Sequence, residues 1–269
     1  MKIGVYVLGV AAIATGIVDL VWGDFERAHQ PIQAWGDNVS GRGPFADAVG
    51  IVLVIGGAAI MLRRSTQVGA VLLGVTYFLF AIFWAPRLYW ATAILGWRGT
   101  IGAIGGIGQQ AIVIAVAAII YAGAAVPGAP WAPRTTRITR WVFGVSTIFF
   151  GLAHLTSVES AAPLVPKWIP PSADFWVIVT GLAFVAAGIG ILSGMLDVLA
   201  ARLLTLMLLI FSALALLPLI FAYPHHETAW GGNAYNLVAV GAAWVLADWL
   251  SSRRRRELGL QARHAPSIG

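Results

Sequence analysis

Apolar residues run along this chain in eight long stretches that are separated by short polar segments. Each stretch is long enough to cross about 30 Å of hydrocarbon as a helix, at about 1.5 Å per residue. None shows the alternating pattern of a membrane β-barrel strand. The pattern therefore predicts an all-α polytopic membrane protein with eight transmembrane helices. The predicted spans cover approximately 3–23, 45–62, 67–86, 101–124, 139–157, 173–193, 198–222 and 233–250.

Composition excludes the soluble classes of protein. Of the 269 residues, 59% are hydrophobic and only 10% are charged, which is too few charges to cover the surface of a soluble domain. The absence of cysteine excludes disulfides, thiol chemistry, Cys-ligated metals and iron–sulfur clusters. The net charge of +6 lies in loops and in the tail, as membrane orientation requires, so it does not indicate a nucleic-acid partner.

The distribution of lysine and arginine predicts the orientation. With the N-terminus inside, the cytoplasmic segments hold twelve of the 17 Lys and Arg residues, which favours cytoplasmic positions for both termini. The predicted topology anchors are Arg63, Arg64, Arg137, Arg140, Arg253, Arg254, Arg255 and Arg256.

The two halves of the chain resemble each other. The sequence GVAAIATGIVDL at 9–20 matches GVSTIFFGLAHL at 144–155, an offset of 135 residues. Each copy has four spans, an even number, so both copies insert the same way as parallel repeats. The predicted organisation is a first four-helix unit at 1–124, a cytoplasmic linker at 125–138, a second four-helix unit at 139–250 and a basic cytoplasmic tail at 251–269.

Two ionisable residues occupy equivalent positions near the outer ends of spans one and five: Asp19 and His154. Ionisable groups at membrane depth are costly and usually face the interior of the bundle. If the halves pack face to face, the carboxylate and the imidazole would approach each other or share a cavity. The sequence therefore predicts that this pair binds a ligand or handles protons.

Further polar and aromatic residues lie near the outer ends of the spans. They are compatible with a water-exposed rim, with a site for a quinone or another polar-headed ligand, or with a metal site. The weak metal candidates are His225, His226 and Glu227, whose spacing is not diagnostic. The tryptophans suit an interfacial belt or an aromatic pocket for a flat ring. The remaining candidates at the mouth of the site are His29, Asp24, Glu159, Trp168 and Trp230.

The second half carries a longer pattern of segments. FGLAHL at 150–155 is followed by VPKWIPPSADFWVIVTGLAFVAAGIGIL at 165–192, LALLPLIF at 214–221 and NLVAVGAAWVLAD at 236–248. This order, and PKWIPP above all, resembles the DoxX-like family of bacterial and archaeal integral membrane proteins. The resemblance covers about 139–250 and reaches the first half mainly through the internal repeat. It implies a tandem duplication of the family's four-helix unit in the cytoplasmic (inner) membrane of a bacterium or archaeon.

DoxX-like proteins are similar to a small membrane subunit associated with thiosulfate:quinone oxidoreduction. The resemblance thus implies an ancillary subunit of a quinone-linked redox process, without catalytic activity of its own and with a quinone as the candidate cofactor. Its expected partners are membrane lipids and a membrane or extracytoplasmic redox protein. Two other hypotheses remain open: a carrier or receptor for a small lipophilic molecule or metal ion, and a structural membrane scaffold.

Overall fold

The computed structural model describes residues 3–26, 29, 40–125 and 132–263. This part of the chain consists of helices and turns, and seven of its helices are long and apolar enough to cross a membrane. The prediction of a polytopic helical membrane protein is confirmed at this level. The helices are α1 (Ile3–Trp22), α2 (Arg42–Met61), α3 (Thr66–Ala125), α4 (Ala132–Thr156), α5 (Ala173–Ser193), α6 (Asp197–Ala222) and α7 (Glu227–Arg263).

Helix α3 contains the third and fourth predicted spans. Gly96 interrupts it with φ 58° and ψ −145°, a backbone conformation that favours glycine. The two arms fold back on each other, because a Cβ on Gly74 would lie 3.4 Å from the Cβ of Ala117. Each arm exceeds the roughly 20 residues that a span needs. Eight predicted spans therefore correspond to seven helices, of which one is folded double.

Several helices extend beyond the apolar runs that predicted them. The segment between 86 and 101 is helical on both sides of Gly96, and α4 begins at Ala132, within the predicted linker. Helix α7 begins at Glu227 and continues to Arg263, through most of the predicted tail. Hydropathy detects only the part of a helix that suits lipid, whereas helical hydrogen bonding continues into the polar flanks.

Neighbouring helices in the chain pack together, and the first and last helices also meet. Helix α1 packs mainly against α2 and α7, and α4 packs mainly against α3 and α5. At the contact of α1 with α7, a Cβ on Gly241 would lie 2.5 Å from the Cα of Leu8, so the two backbones nearly touch. Leu8 and Leu246 are fully buried in the resulting core.

Glycine pairs allow close backbone contact between α1 and α2 and between α4 and α5. A Cβ on Gly57 would lie 2.5 Å from the carbonyl oxygen of Gly9, and a Cβ on Gly188 would lie 2.6 Å from that of Gly144. Small residues at such crossings let membrane helices approach closely. The four pairs are Gly9–Gly57, Gly16–Gly50, Gly144–Gly188 and Gly151–Gly181.

We call the end of the bundle that carries Trp22, Thr156 and Glu227 the distal end, and the opposite end the proximal end. At the proximal end, the guanidinium groups of Arg140 and Arg254 lie 3.7 and 3.6 Å from the carboxylate of Asp197. Both arginines also donate hydrogen bonds to backbone carbonyls where α5 ends. Two predicted topology anchors therefore also connect α4 and α7 to the turn between α5 and α6. The other predicted anchors at this end are Arg63, Arg64, Arg137, Arg253, Arg255 and Arg256.

Candidate functional site

A groove of about 580 Å³ lies between α5 and α6 in the distal half of the bundle. Its walls are almost entirely apolar. The side chains of Leu203, Leu206 and Ile210 line it and are about half exposed on the flank of the bundle. The groove therefore opens sideways, toward lipid, and its size suits a small lipophilic molecule. Other lining residues are His154, Trp168, Trp176, Thr180, Met207 and Phe211.

Helix α6 changes its winding where it lines the groove. Ser212–Leu216 form a π-helical turn. The side-chain amide of Asn236 in α7 donates hydrogen bonds to the carbonyl of Leu208 (2.9 Å) and to the hydroxyl of Ser212 (2.8 Å). Irregular backbone at membrane depth needs such partners, so Asn236 stabilises the turn. The turn contributes Leu214, Ala215 and Leu216 to the wall of the groove.

The connection between α4 and α5, residues 157–171, covers the distal end of the groove and is called here the roof segment. It contains a short helix, Val158–Ala161, and a 3₁₀ turn, Ala162–Leu164. The indole N–H of Trp176 donates a 2.8 Å hydrogen bond to the carbonyl of Pro170, which attaches the roof segment to α5. Trp168, predicted as a site residue, belongs to this segment and lines the groove while remaining largely exposed.

Replacing Trp176 with phenylalanine is expected to loosen the roof segment, because the ring is kept and the indole donor is lost. One such hydrogen bond contributes about 1 kcal/mol. Hydrogen–deuterium exchange should accelerate at 157–171 and stay unchanged in α5. Trp230→Phe is the matched control, since it removes an equivalent 2.9 Å bond from Trp230 to the carbonyl of Pro224. Unchanged exchange in the roof segment of Trp176→Phe would contradict this assignment.

His154 is the one titratable side chain among the described residues that line the groove. Its Nδ1 lies 2.9 Å from the carbonyl oxygen of Phe150, and its ring lies 5.1 Å from that of Phe184. A carbonyl oxygen can only accept, so Nδ1 must carry the hydrogen. In the neutral ring Nε2 is then a hydrogen-bond acceptor, suited to a ligand that bears a hydroxyl group.

A smaller groove of about 300 Å³ lies in the first half, between α2 and the first arm of α3. Among the described residues that line it, none is titratable. Phe45, Val49, Val75 and Phe83 form much of its wall. This groove offers apolar surface without a counterpart of His154, so it has no ionisable contact for a polar head group.

Asp19 lies in the first half of the bundle, beside buried polar residues and not in an apolar groove. The side chain is fully buried, and its Oδ1 accepts a 2.9 Å hydrogen bond from the backbone N–H of Glu26. Its Oδ2 has no hydrogen-bond partner among the described residues. Glu26 is itself buried, so the chain that follows α1 turns back into the bundle beside Asp19.

His29, another predicted site residue, is also fully buried. Its ring stacks on that of Phe80, with centroids 4.0 Å apart and planes within 8°. The rings of Tyr77 and Tyr235 meet it edge-on, at 5.5 and 5.6 Å. The imidazole is therefore held among aromatic rings from α3 and α7 and does not belong to an exposed rim.

The same surroundings keep His29 uncharged at neutral pH. Burial, reinforced by the positive charge of Arg87, lowers the pKa of His29 to about 3. The carboxylate of Glu26 lies 3.8 Å from Nδ1, which is too long for a hydrogen bond, so burial outweighs its attraction.

Two of the predicted acidic residues form ion pairs at the distal end. Both carboxylate oxygens of Asp24 accept hydrogen bonds from Arg42, at 2.7 and 2.6 Å. Glu159 lies 3.8 Å from Arg98, and both side chains are exposed. Asp24 therefore connects α1 to the start of α2, whereas the pair at Glu159 is exposed to solvent and contributes little to stability.

The remaining predicted residues lie around the turn between α6 and α7. His225 and His226 are exposed, and the ring of His226 meets Tyr223 at 5.6 Å. Glu227 lies against Gly231 in the first turns of α7. In the ranges that the structure describes, no three His, Cys, Asp or Glu side chains are grouped so as to hold a metal ion. Trp230 is partly exposed in α7.

The structure does not bring Asp19 and His154 together. Asp19 lies with Glu26 between α1 and its neighbours α2 and α7, whereas His154 lies in the groove beside α5 and α6. Helix α1 packs mainly against α2 and α7, whereas α4 packs mainly against α3 and α5. Asp19 in α1 and His154 in α4 therefore face different parts of the bundle.

Tyr77 and Tyr235 border His29, and neither was predicted as a site residue. A signal for Tyr77 exists in the helical spacing, since it lies between Leu73 and Phe80 on the fully buried face of α3. Tyr235 follows Gly231 by four residues and shares its face of α7. A tyrosine on a buried helix face needs a partner for its hydroxyl group and therefore indicates a polar site.

Comparisons of the chain with protein families, with curated proteins and with solved structures find no match. Its function is therefore inferred from its own residues and their geometry.

Proposed function

We propose that this protein binds a lipophilic molecule with a flat, hydroxyl-bearing head ring in the groove at His154. The observation that carries the proposal is a groove of about 580 Å³ whose apolar walls contain one titratable side chain. A quinol has the matching features: a flat ring, phenolic hydroxyl groups and an apolar tail. Its tail would leave the groove past Leu203 and Leu206, which already face the lipid side of the bundle.

The head ring would be held by hydrogen bonding and by aromatic contact. Nε2 of His154 accepts the hydrogen of a phenolic hydroxyl, because Nδ1 is already committed to the carbonyl of Phe150. Trp168, Trp176 and Phe211 supply aromatic surface along the same groove. The chain's own contribution is thus to bind and orient the ring.

In the cell, we infer, this binding makes the protein an ancillary component of a quinone-linked redox process. The resemblance of residues 139–250 to DoxX-like proteins supports this role and the placement in a bacterial or archaeal inner membrane. The matching glycine contacts of α1 with α2 and of α4 with α5 support a tandem repeat. The arginines at the proximal end support cytoplasmic termini.

Blocking the groove tests the proposed site. Ala215→Phe places a ring in the groove wall, whereas Ala213→Phe adds the same ring to the same π-helical turn at a position that does not line the groove. Binding of decylubiquinol to the purified protein in nanodiscs is measured by quenching of tryptophan fluorescence. Ala215→Phe should weaken binding by roughly tenfold or more, because the ring takes the ligand's volume, and Ala213→Phe should not. Equal affinity in both variants would reject the groove.

Replacing His154 tests the recognition of the head group. His154→Phe keeps a ring and loses Nε2, so decylubiquinol should bind about 2- to 12-fold more weakly, the value of one hydrogen bond. The dimethyl ether of the same quinol cannot donate, and it should bind the wild type and His154→Phe equally. If His154→Phe binds the quinol as tightly as the wild type does, the head group does not contact His154.

A further inference from the structure

The polar residues around Asp19 and His29 form a second candidate site, which we call the chamber. Four of its side chains are at most 1% exposed: Asp19, His29, Tyr77 and Gln110. Oδ2 of Asp19 and both ring nitrogens of His29 have no hydrogen-bond partner among the described residues. The hydroxyl of Tyr77 has Thr15 within reach, and the amide of Gln110 has the hydroxyl of Tyr235 within reach.

The four side chains come from separate elements, and the following contacts connect them. His29 touches Tyr77 on one edge and Tyr235 on another. Tyr77 lies within electrostatic reach of Asp19, and the amide of Gln110 lies beside the hydroxyl of Tyr235. Buried polar groups in native proteins are almost always hydrogen-bonded, to protein or to bound water. The open positions of Asp19 and His29 therefore indicate a further partner at this place.

A line of carboxylates leads from the distal surface to this place. Glu227 begins α7 at the distal end and is half-buried. Its side chain lies against Gly231, and a Cβ on Gly231 would also lie 2.6 Å from Cγ of Glu26. The backbone N–H of Glu26 in turn binds Asp19. The two glutamates thus meet where Gly231 leaves room for them, one step from the chamber.

The mixture of groups identifies the class of partner. A carboxyl group accepts and, when protonated, also donates; an amide and a tyrosine hydroxyl do both, and neutral His29 has one nitrogen of each kind. A metal ion needs acceptors only, and the described residues contain no group of side chains arranged to hold one. Water matches both kinds of position in a small space and forms about three hydrogen bonds when buried.

We propose that the chamber binds a small cluster of water molecules that exchange with the distal surface past Glu227 and Glu26. Bound water occupies the open positions of Asp19 and His29 and brings the carboxyl group of Asp19 into contact with solvent protons inside the bundle. The charged and titratable groups around the chamber are Asp19, Asp24, Glu26, His29, Tyr77, Arg87, Glu227 and Tyr235.

Radiolytic labelling in oxygen-18 water tests the proposal on the wild-type protein in nanodiscs. A short X-ray pulse converts water into hydroxyl radicals, which mark aromatic rings that lie next to water, including buried water. Phe80 and Phe143 form a matched pair, because both are phenylalanines with 0% exposure and only Phe80 lies at the chamber. Phe80 and Tyr77 should label several-fold faster than Phe143. Labelling of both at the rate of Phe143 would overturn the proposal.

Gln110→Leu gives a second test, which is read from the labelling of Tyr77. In a hydrated chamber the substitution removes a partner of the bound water, so Tyr77 labels more slowly than in the wild type. In a dry chamber Tyr77 labels at the background level with or without the amide, which would contradict the proposal. Gln109→Leu is the control, because the Gln109 amide already donates to the carbonyl of Tyr235 at 3.4 Å. It should leave the labelling of Tyr77 unchanged.

Discussion

Replacing Gly151 with alanine is expected to lower the melting temperature more than any other substitution considered for this protein. The added Cβ would lie 2.5 Å from the carbonyl oxygen of Gly181 and 2.9 Å from the backbone nitrogen of Val185. Backbone atoms cannot rotate away as a side chain can, so α4 and α5 would have to separate. Overpacking costs about 1–3 kcal/mol even where side chains can adjust, so we expect a loss at or above the top of that range. Thermal unfolding in detergent, followed by size-exclusion chromatography, measures it.

Gly102→Ala is the control for this substitution. Gly102 is also helical, in the second arm of α3, but a Cβ there would meet nothing within 4 Å. Alanine favours a helix over glycine by about 1 kcal/mol, so this variant should melt at the wild-type temperature or above it. Equal destabilisation of both variants would show that the glycine contact between α4 and α5 is not what limits stability.

Acidification is expected to destabilise the first half of the bundle through His29. The pKa of His29 is about 3 in the folded protein, below the value of about 6.5 for an exposed imidazole, so the unfolded chain binds the proton more tightly. The stabilisation is therefore complete above about pH 6.5 and is lost as the pH falls toward 3. Between pH 7 and pH 4.5 the free energy of unfolding falls by roughly 2–3 kcal/mol because of this group, at about 1.36 kcal/mol per pH unit. Melting temperatures measured across this interval test it.

The variant His29→Phe isolates the contribution of this one group. A phenylalanine can keep the stacking on Phe80 but cannot bind a proton, so the decline of melting temperature with acid should become shallower. His226→Gln is the control, because His226 is exposed at the distal turn and its replacement should leave the slope unchanged. An identical slope in wild type and His29→Phe would mean that acid acts elsewhere.

The apolar runs predicted the kind of helix, because a bilayer requires about 20 apolar residues per span, but eight predicted spans correspond to seven helices among the described residues. They did not predict the helical connection around Gly96. Arg87 and Arg98 interrupt the apolar run there, yet both belong to helix, since hydropathy reports the preference for lipid and not the backbone conformation.

The site was partly predictable for a similar physical reason. Asp19 and His154 were predicted as site residues because ionisable groups at membrane depth are costly. In the structure Asp19 binds the backbone of Glu26 inside the bundle, and His154 lines the groove. Their neighbours were not predictable, because the pattern of one sequence does not state which helix packs on which. The burial of His29 likewise depends on the chain after α1 turning back into the bundle, and no local pattern encodes that turn.

The packing of α7 against α1 has a consequence for biosynthesis. Helix α1 leaves the ribosome before α7, so the nascent chain must hold α1 in the membrane while the part of its interface that α7 supplies does not yet exist. Before α7 is in place, Asp19 lacks the side of its enclosure that Gly231 and Tyr235 of α7 provide. The helix bundle therefore closes only when α7 has been synthesised, and a ribosome that stops before α7 leaves the buried side chain of Asp19 without its enclosure.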